Sequence, residues 1–400
     1  MDTGIEKPVR TLEPHLKGTD TRDQLAHAAK QAAERNYGDY YIVDVDAHHY
    51  ENQSWGEIID RVPSDVIQQI GRSFQQGDRI FPGLINVLGF PQNQSIGGRI
   101  DHNGGLMEPV TEADVHRDVT LIRRAMGTLG VDYQITFPTP MLALGQHPEA
   151  DVEAAVAEGY NEWLTEKILS ADDRIRSMLY LPFNDPETCE RIVERFAGRR
   201  GVAGFMVTSV RNRPVHHNSY MRLYRMLEER GLPLAFHAGP FWGASDGFVR
   251  QLNRFLSVHA ISFSLCNMVH LANWVMNGLP EKFPKLKVIW IESGVAWMAF
   301  MTQRFDNEYL MRSSEAPALK RLPSEYMKEM YYTSQPMERT DMKLLEATMN
   351  AIDAKNSMMY ASDWPHWDFD LPSTILDLPF LDEQSKRNIL GLNAKKLFGL

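Results

Sequence analysis

Eight short runs rich in β-branched and aromatic residues recur along the 400-residue chain, and nearly every one is followed by a stretch with helical spacing. The runs are YYIVDVDA, DYQITFP, RSMLYLP, GVAGFMVTS, LPLAFHAG, LKVIWIES, MYYTSQ and SMMYASD. Between and after them lie amphipathic segments such as TEADVHRDVTLIRRAMGTLG, DPETCERIVERFAG and RTDMKLLEATMNAID, and DEQSKRNILGLNAKKLFGL closes the chain. Strands that alternate with helices imply a parallel sheet with crossover helices. Eight such units imply a closed α/β architecture, the (β/α)8 TIM barrel. Residues 1–38 are poor in large apolar side chains and end in the helix-like TRDQLAHAAKQAAERN, so they are expected to form an N-terminal helical arm, with the barrel over residues 39–400. One long insertion after strand 1, GDRIFPGLINVLGFPQNQSIGGRIDHNGG, would lie over the active-site face.

Charge and cysteine usage narrow the function. The net charge of −10 and a pI near 5.7 disfavour nucleic acid and anionic membrane as partners, because phosphate binding requires a basic face. The two cysteines, Cys189 and Cys266, suggest neither a disulfide framework nor a thiolate zinc site. No secretory leader or membrane-spanning run is evident, so a cytoplasmic protein acting on a small-molecule substrate is expected. The polar arm suggests a homo- or hetero-oligomer.

Barrels present chemistry at the C-terminal ends of their strands. Reading those ends gives Asp46, His48 and Glu51 after strand 1, His237 in AFHAG, Glu292 in VIWIESG, and Asp363 with His366 in YASDWPH. Residues i and i+2 of a strand point the same way, so Asp46 and His48 can share one cation, with His49 facing away. Carboxylates crowded into a low-dielectric mouth would otherwise repel one another and take up protons. A divalent metal removes that conflict. The candidate ligands are Asp46, His48, Glu51, His237, Glu292 and Asp363. His270, in LCNMVHLANWV, stays open between ligand and core histidine. Arg211 is either a clamp for a substrate carboxylate or a solvated side chain. Trp242, Trp297 and Trp364 either contact substrate or only line the mouth.

The motifs VDVDAHHYE, FHAG, FPKLKVIWIESGVAWM, YASDWPH and NILGLNAKKLFGL, with YNEWL at Tyr160–Leu164, together resemble the amidohydrolase-related family (amidohydrolase 2, aminocarboxymuconate-semialdehyde decarboxylase-like) from about Tyr41 to Leu400. The resemblance implies a metal-dependent barrel enzyme, with the strand-1 pair mapping onto Asp46 and His48, the strand-5 histidine onto His237 and the strand-8 aspartate onto Asp363. Two departures stand out. Glu292 occupies the place of the decarboxylase branch's strand-6 histidine, and strand 4 lacks the lysine that bridges two metals in the broader superfamily.

Three functions follow as expectations. The first is hydrolysis or decarboxylation of a small carboxylate-bearing or aromatic substrate at zinc or manganese, with Glu292 or Asp363 moving the proton and His366 steadying Asp363 or an oxyanion. The second is O2 activation by two irons or an iron–manganese pair, because so many carboxylates exceed what one catalytic zinc uses. The third is a non-catalytic metal-binding subunit.

Overall fold

A computed structural model describes residues 20–73, 75–76, 79–80, 109–208, 213–239, 252 and 254–400. Most of the insertion after strand 1, the stretch FWGASDG, Arg211 and Trp242 fall outside these residues, as does the arm before Asp20.

Each of the eight runs forms a strand. They are β1 (Val43–His49), β2 (Tyr133–Pro138), β3 (Ile175–Tyr180), β4 (Val202–Thr208), β5 (Leu234–His237), β6 (Val288–Ile291), β7 (Tyr331–Thr333) and β8 (Met358–Met359). They pair in parallel, in sequence order, as one eight-stranded sheet. The sheet curls round on itself. Val45 N–H donates to Tyr360 O at 2.9 Å, Asp363 N–H to Asp46 O at 2.7 Å, and His48 N–H to Trp364 O at 2.7 Å. All seven residues of β1 are buried, as expected of a strand covered on both faces. This is the (β/α)8 barrel expected from the alternation.

The helices form the outer layer. The main ones are α1 (Thr21–Glu34), α2 (Arg117–Leu129), α3 (Ala150–Trp163), α4 (Pro186–Phe196), α5 (Met221–Arg230), α6 (Phe255–Met276), α7 (Ala296–Arg312) and α8 (Met342–Ala351). Local chemistry sets their ends. Asp185 accepts from Thr188 N–H ahead of α4 with Pro186 at its first position, and Asp341 accepts from two amides ahead of α8. Gly130 and Gly231 close α2 and α5 in the left-handed conformation. Helix α1 buries Ala28 and packs on α2, and Arg35 just beyond it pairs with Asp377.

Two family-like motifs turn out to be ties between layers. In YNEWL, Asn161 Nδ2–H donates to Tyr180 O at 2.9 Å, its Oδ1 accepts from Tyr180 N–H at 3.2 Å, and Trp163 Nε1–H reaches Glu57 Oε2 at 3.1 Å. In NILGLNAKK, Asn393 Nδ2–H donates to Met358 O at 2.8 Å, fastening the C-terminus to β8. Among the described residues, no helix is long and apolar enough to cross a membrane.

Gly391 lies in that C-terminal segment, where a Cβ would overlap the carbonyl oxygen of Tyr41. Gly391→Ala should therefore destabilise the protein by about 1–3 kcal/mol, the usual range for overpacking. A urea titration should show a lower midpoint with an unchanged slope.

Candidate metal centre

The strand ends bring Asp46, His48, His237 and Glu292 together, and His48, Asp363 and His366 form an overlapping group. Within each group the possible ligand atoms lie within 4.8 Å of one another. All six residues are buried. Asp46 Oδ1 sits 3.4 Å from His48 Nε2 and 3.2 Å from His237 Nε2, and His48 Nε2 is 3.1 Å from Asp363 Oδ1.

Backbone carbonyls set the orientation of the two central imidazoles. His48 Nδ1–H donates to Pro138 O at 2.9 Å, and His237 Nδ1–H donates to Ala238 O at 2.7 Å. Both rings therefore turn Nε2 towards the carboxylates. Histidines that bind metals show this arrangement, with the far nitrogen fixed by an outer acceptor. Among the described residues, His48 Nε2 and Asp46 Oδ2 are buried without a hydrogen-bond partner, although buried polar atoms are rarely left so. A cation between them would satisfy both, so the residues present fit a divalent metal.

The electrostatics point the same way. Burial alone would depress His48, but the Asp363 and Asp46 carboxylates lift its pKa well above the ordinary value. Burial likewise pushes Asp46 and Asp363 upward, yet the facing imidazoles, His237 and His48 for one and His366 and His48 for the other, bring both below the usual carboxylate range. The acids thus hold positive charge at this point, which a metal ion supplies as readily as a proton. Glu292 goes the other way, raised well above its ordinary value by burial and by the Asp363 charge.

Glu292 and Asp363 also share a backbone feature. Both adopt positive φ, 53° and 60°, a region that costs a non-glycine residue on the order of 1–3 kcal/mol. Neighbouring groups hold them there. Glu292 N–H donates to Thr333 Oγ1 at 3.1 Å. Asn267 on α6 donates to Phe236 O at 3.2 Å and to Ile291 O at 3.1 Å, the residues just before His237 and Glu292. Asp363 accepts from His366 Nδ1–H at 2.7 Å and from Gln335 Nε2–H at 3.1 Å.

Other sequence-predicted residues lie elsewhere. Glu51 is not in either ligand group; its carboxylate accepts from Thr139 N–H at 2.9 Å and Met141 N–H at 2.6 Å, so the backbone of the next loop competes successfully for it. His270 is also outside both groups. It lies on α6 against Phe236, with ring centroids 5.6 Å apart; Phe236 and His237 point to opposite faces of β5, which puts His270 on the helix side. Trp297 is buried and donates Nε1–H to Gly294 O at 2.9 Å. Trp364 packs edge-on against Phe369 at 4.8 Å. His49 faces away from the centre, stacked near Tyr160 with Nε2 2.9 Å from its hydroxyl. Asp44 accepts from Ser362 N–H at 2.9 Å and from its hydroxyl at 2.5 Å, tying β1 to the residues after β8.

Gln335, Asn267 and Thr333 were not singled out by sequence reasoning. Thr333 and Gln335 both lie in the run MYYTSQ, Gln335 at its end and followed by proline.

The family model described as Amidohydrolase matches residues 111–400, and the chain belongs to that family. It is an enzyme of the amidohydrolase type on a TIM barrel. The gamma-resorcylate decarboxylase of Polaromonas sp. (strain JS666 / ATCC BAA-500) is 24% identical over 250 residues, which cover 60% of this chain and 75% of the relative. In structure the chain is similar to 5-carboxyvanillate decarboxylase from Sphingomonas paucimobilis, with a TM-score of 0.66 and 20% identity over 90% of this chain and 99% of the other. It is also similar to a dihydroxybenzoic acid decarboxylase from Polaromonas sp. JS666 solved with manganese and 2-nitroresorcinol, with a TM-score of 0.61 and 18% identity over 90% and 97% of the two chains.

Asp46→Ala removes a donor that faces both imidazoles. The variant should retain well under one divalent ion per chain after dialysis against metal-free buffer, as elemental analysis would show, while the wild type keeps its ion.

Proposed function

We propose that the protein catalyses metal-dependent, non-oxidative decarboxylation of a small aromatic carboxylic acid. The observation that carries this reading is the convergence of Asp46, His48, His237 and Glu292 at the strand ends, with Asp363 joining through His48, and with two imidazoles already turned inward by backbone carbonyls. The relatives named above add support, being decarboxylases of hydroxylated or methoxylated benzoates.

Asp46, His48, His237 and Asp363 would hold the metal, which supplies a Lewis-acidic anchor for substrate oxygens. Manganese suits such an N/O donor set. The reaction balances as ArCOO⁻ plus H⁺ giving ArH plus CO2. The ring–carboxylate bond breaks, its electron pair stays on the ring carbon, and a proton fills the vacated position.

This chain's residues divide those tasks. Glu292 stands beside His237, with Oε2 at 3.4 Å from Nδ1, and carries the proton that reaches the ring carbon. Asp363 is a poor candidate for that role, because His366 engages one of its oxygens and Gln335 the other. The same engagement makes Asp363 a poor base for activating water, which favours decarboxylation over hydrolysis. The absence of lysine from β4, Val202–Thr208, agrees with a single-metal site. His366 steadies Asp363.

The test is anaerobic assay of protein loaded with Mn2+ against 2,6-dihydroxybenzoate, 5-carboxyvanillate and related acids. One metal per chain and CO2 release without O2 are expected. Two irons, or iron with manganese, together with obligatory O2 uptake would overturn the reading, as would turnover confined to amides, esters or lactones. Glu292→Gln should keep the metal and lower kcat by about 100-fold or more, the usual scale for removing a positioned acid. Unchanged kcat would remove Glu292 from the proton step.

A further inference from the structure

Among the described residues, Glu51 is a buried ionisable group at this end of the barrel that the reaction leaves unused. Its side chain is fully buried, and both carboxylate oxygens are committed to amides of the segment after β2: Oε2 to Thr139 N–H at 2.9 Å and Oε1 to Met141 N–H at 2.6 Å. The last residue of β2 and the first of that segment are where two histidines find their outer partners. Pro138 O accepts from His48 Nδ1–H at 2.9 Å. Thr139 Oγ1 lies 3.3 Å from His366 Nε2, on the side of the ring away from the Nδ1–H that donates to Asp363.

We propose that Glu51 is a positioning residue that pins the Pro138–Met141 turn and, through the Pro138 carbonyl and the Thr139 hydroxyl, fixes the orientation of both His48 and His366. The inference rests on the metal-site reading above. It follows from hydrogen-bond directionality. An imidazole that must present one nitrogen inward is held only as firmly as the acceptor or donor behind its other nitrogen. Here both of those groups sit on adjacent residues of one loop, and a charge-assisted pair of amide bonds ties that loop to the end of β1. A carboxylate suits this role because it is acceptor-only and can serve two N–H groups at once. Glutamine of the same shape would turn an NH2 towards one of them.

The predicted effects split between the two histidines. Glu51→Gln should disturb both. Mn2+ affinity, followed by the free-ion EPR signal, should fall by about 10- to 100-fold, the range for residues that orient metal ligands. Thr139→Val removes only the hydroxyl behind His366, so it should leave Mn2+ affinity within about threefold while kcat falls at least about tenfold at little-changed KM. These bounds sit on either side of that range. Thr139→Ser should restore kcat. A residue that only stabilised the fold would lower Tm without moving affinity or kcat in this pattern.

A folded Glu51→Gln protein with wild-type Mn2+ affinity, or a Thr139→Val protein with wild-type kcat, would overturn the proposal. Should Glu51→Gln fail to fold, the Thr139 pair decides. Should the wild type bind no metal or release no CO2, the functional reading fails by itself. The crystal structure of Glu51→Gln then decides the role of Glu51. Thr139 Oγ1 moved out of reach of His366 supports it, and an unmoved Thr139 rejects it.

Discussion

The site depends on one electrostatic constraint: acids and imidazoles from separate strands are buried at a single point where water cannot screen them. Asp46, Glu292 and Asp363 are each at most 3% exposed. An isolated carboxylate in such a place is strongly disfavoured unless it is paired. The structure relieves this by interleaving His48, His237 and His366 between the acids, so that each charge meets its opposite. Much of the surrounding design follows from keeping that interleaving in register. The carbonyls of Pro138 and Ala238 fix ring tautomers, Gln335 and His366 hold Asp363, and Thr333 holds the backbone of Glu292.

The barrel makes the convergence possible because adjacent parallel strands end on the same side. It does not by itself aim the side chains. Two of the acids, Glu292 and Asp363, sit on backbone in the left-handed region, an arrangement that persists when surrounding contacts over-determine it. Asn267 illustrates how economical the support is, since one amide nitrogen reaches the carbonyls preceding both His237 and Glu292. His237 and Glu292 are thereby coupled through a helix whose residues lie outside both clustered groups.

How much of this was legible in sequence depends on whether the signal was local. The eight strands were readable because each is a compact apolar run bounded by turn residues, and a doubly buried strand reads that way wherever it occurs. The clustering of Asp46, His48, His237, Glu292 and Asp363 could be anticipated because strand ends are a defined address in this architecture. Glu51, expected among the ligands, lies outside both clustered groups. Its position after β1 was right for a ligand, but its actual partners are backbone amides 88 and 90 residues away, which no local pattern announces. His270 was left open between ligand and core, since helical periodicity alone does not say which face of a strand a helix covers. Gln335 and Asn267 act through single hydrogen bonds to distant groups, so nothing in their immediate sequence distinguished them.

Closure of the barrel has a consequence for biosynthesis. The bonds that complete β1 come from the segment after β8, and Asp44 and Ser362 are 318 residues apart. At about 5–20 residues per second of synthesis, the far edge of β1 waits roughly 15–60 s for its neighbour to leave the ribosome. An unpaired strand edge is an invitation to aggregate, and inward-facing charge is one way natural sheets discourage it. Asp44 and Asp46 lie on that waiting strand. Buried acids on a strand edge are of the kind that disfavours pairing with another chain before the proper neighbour arrives.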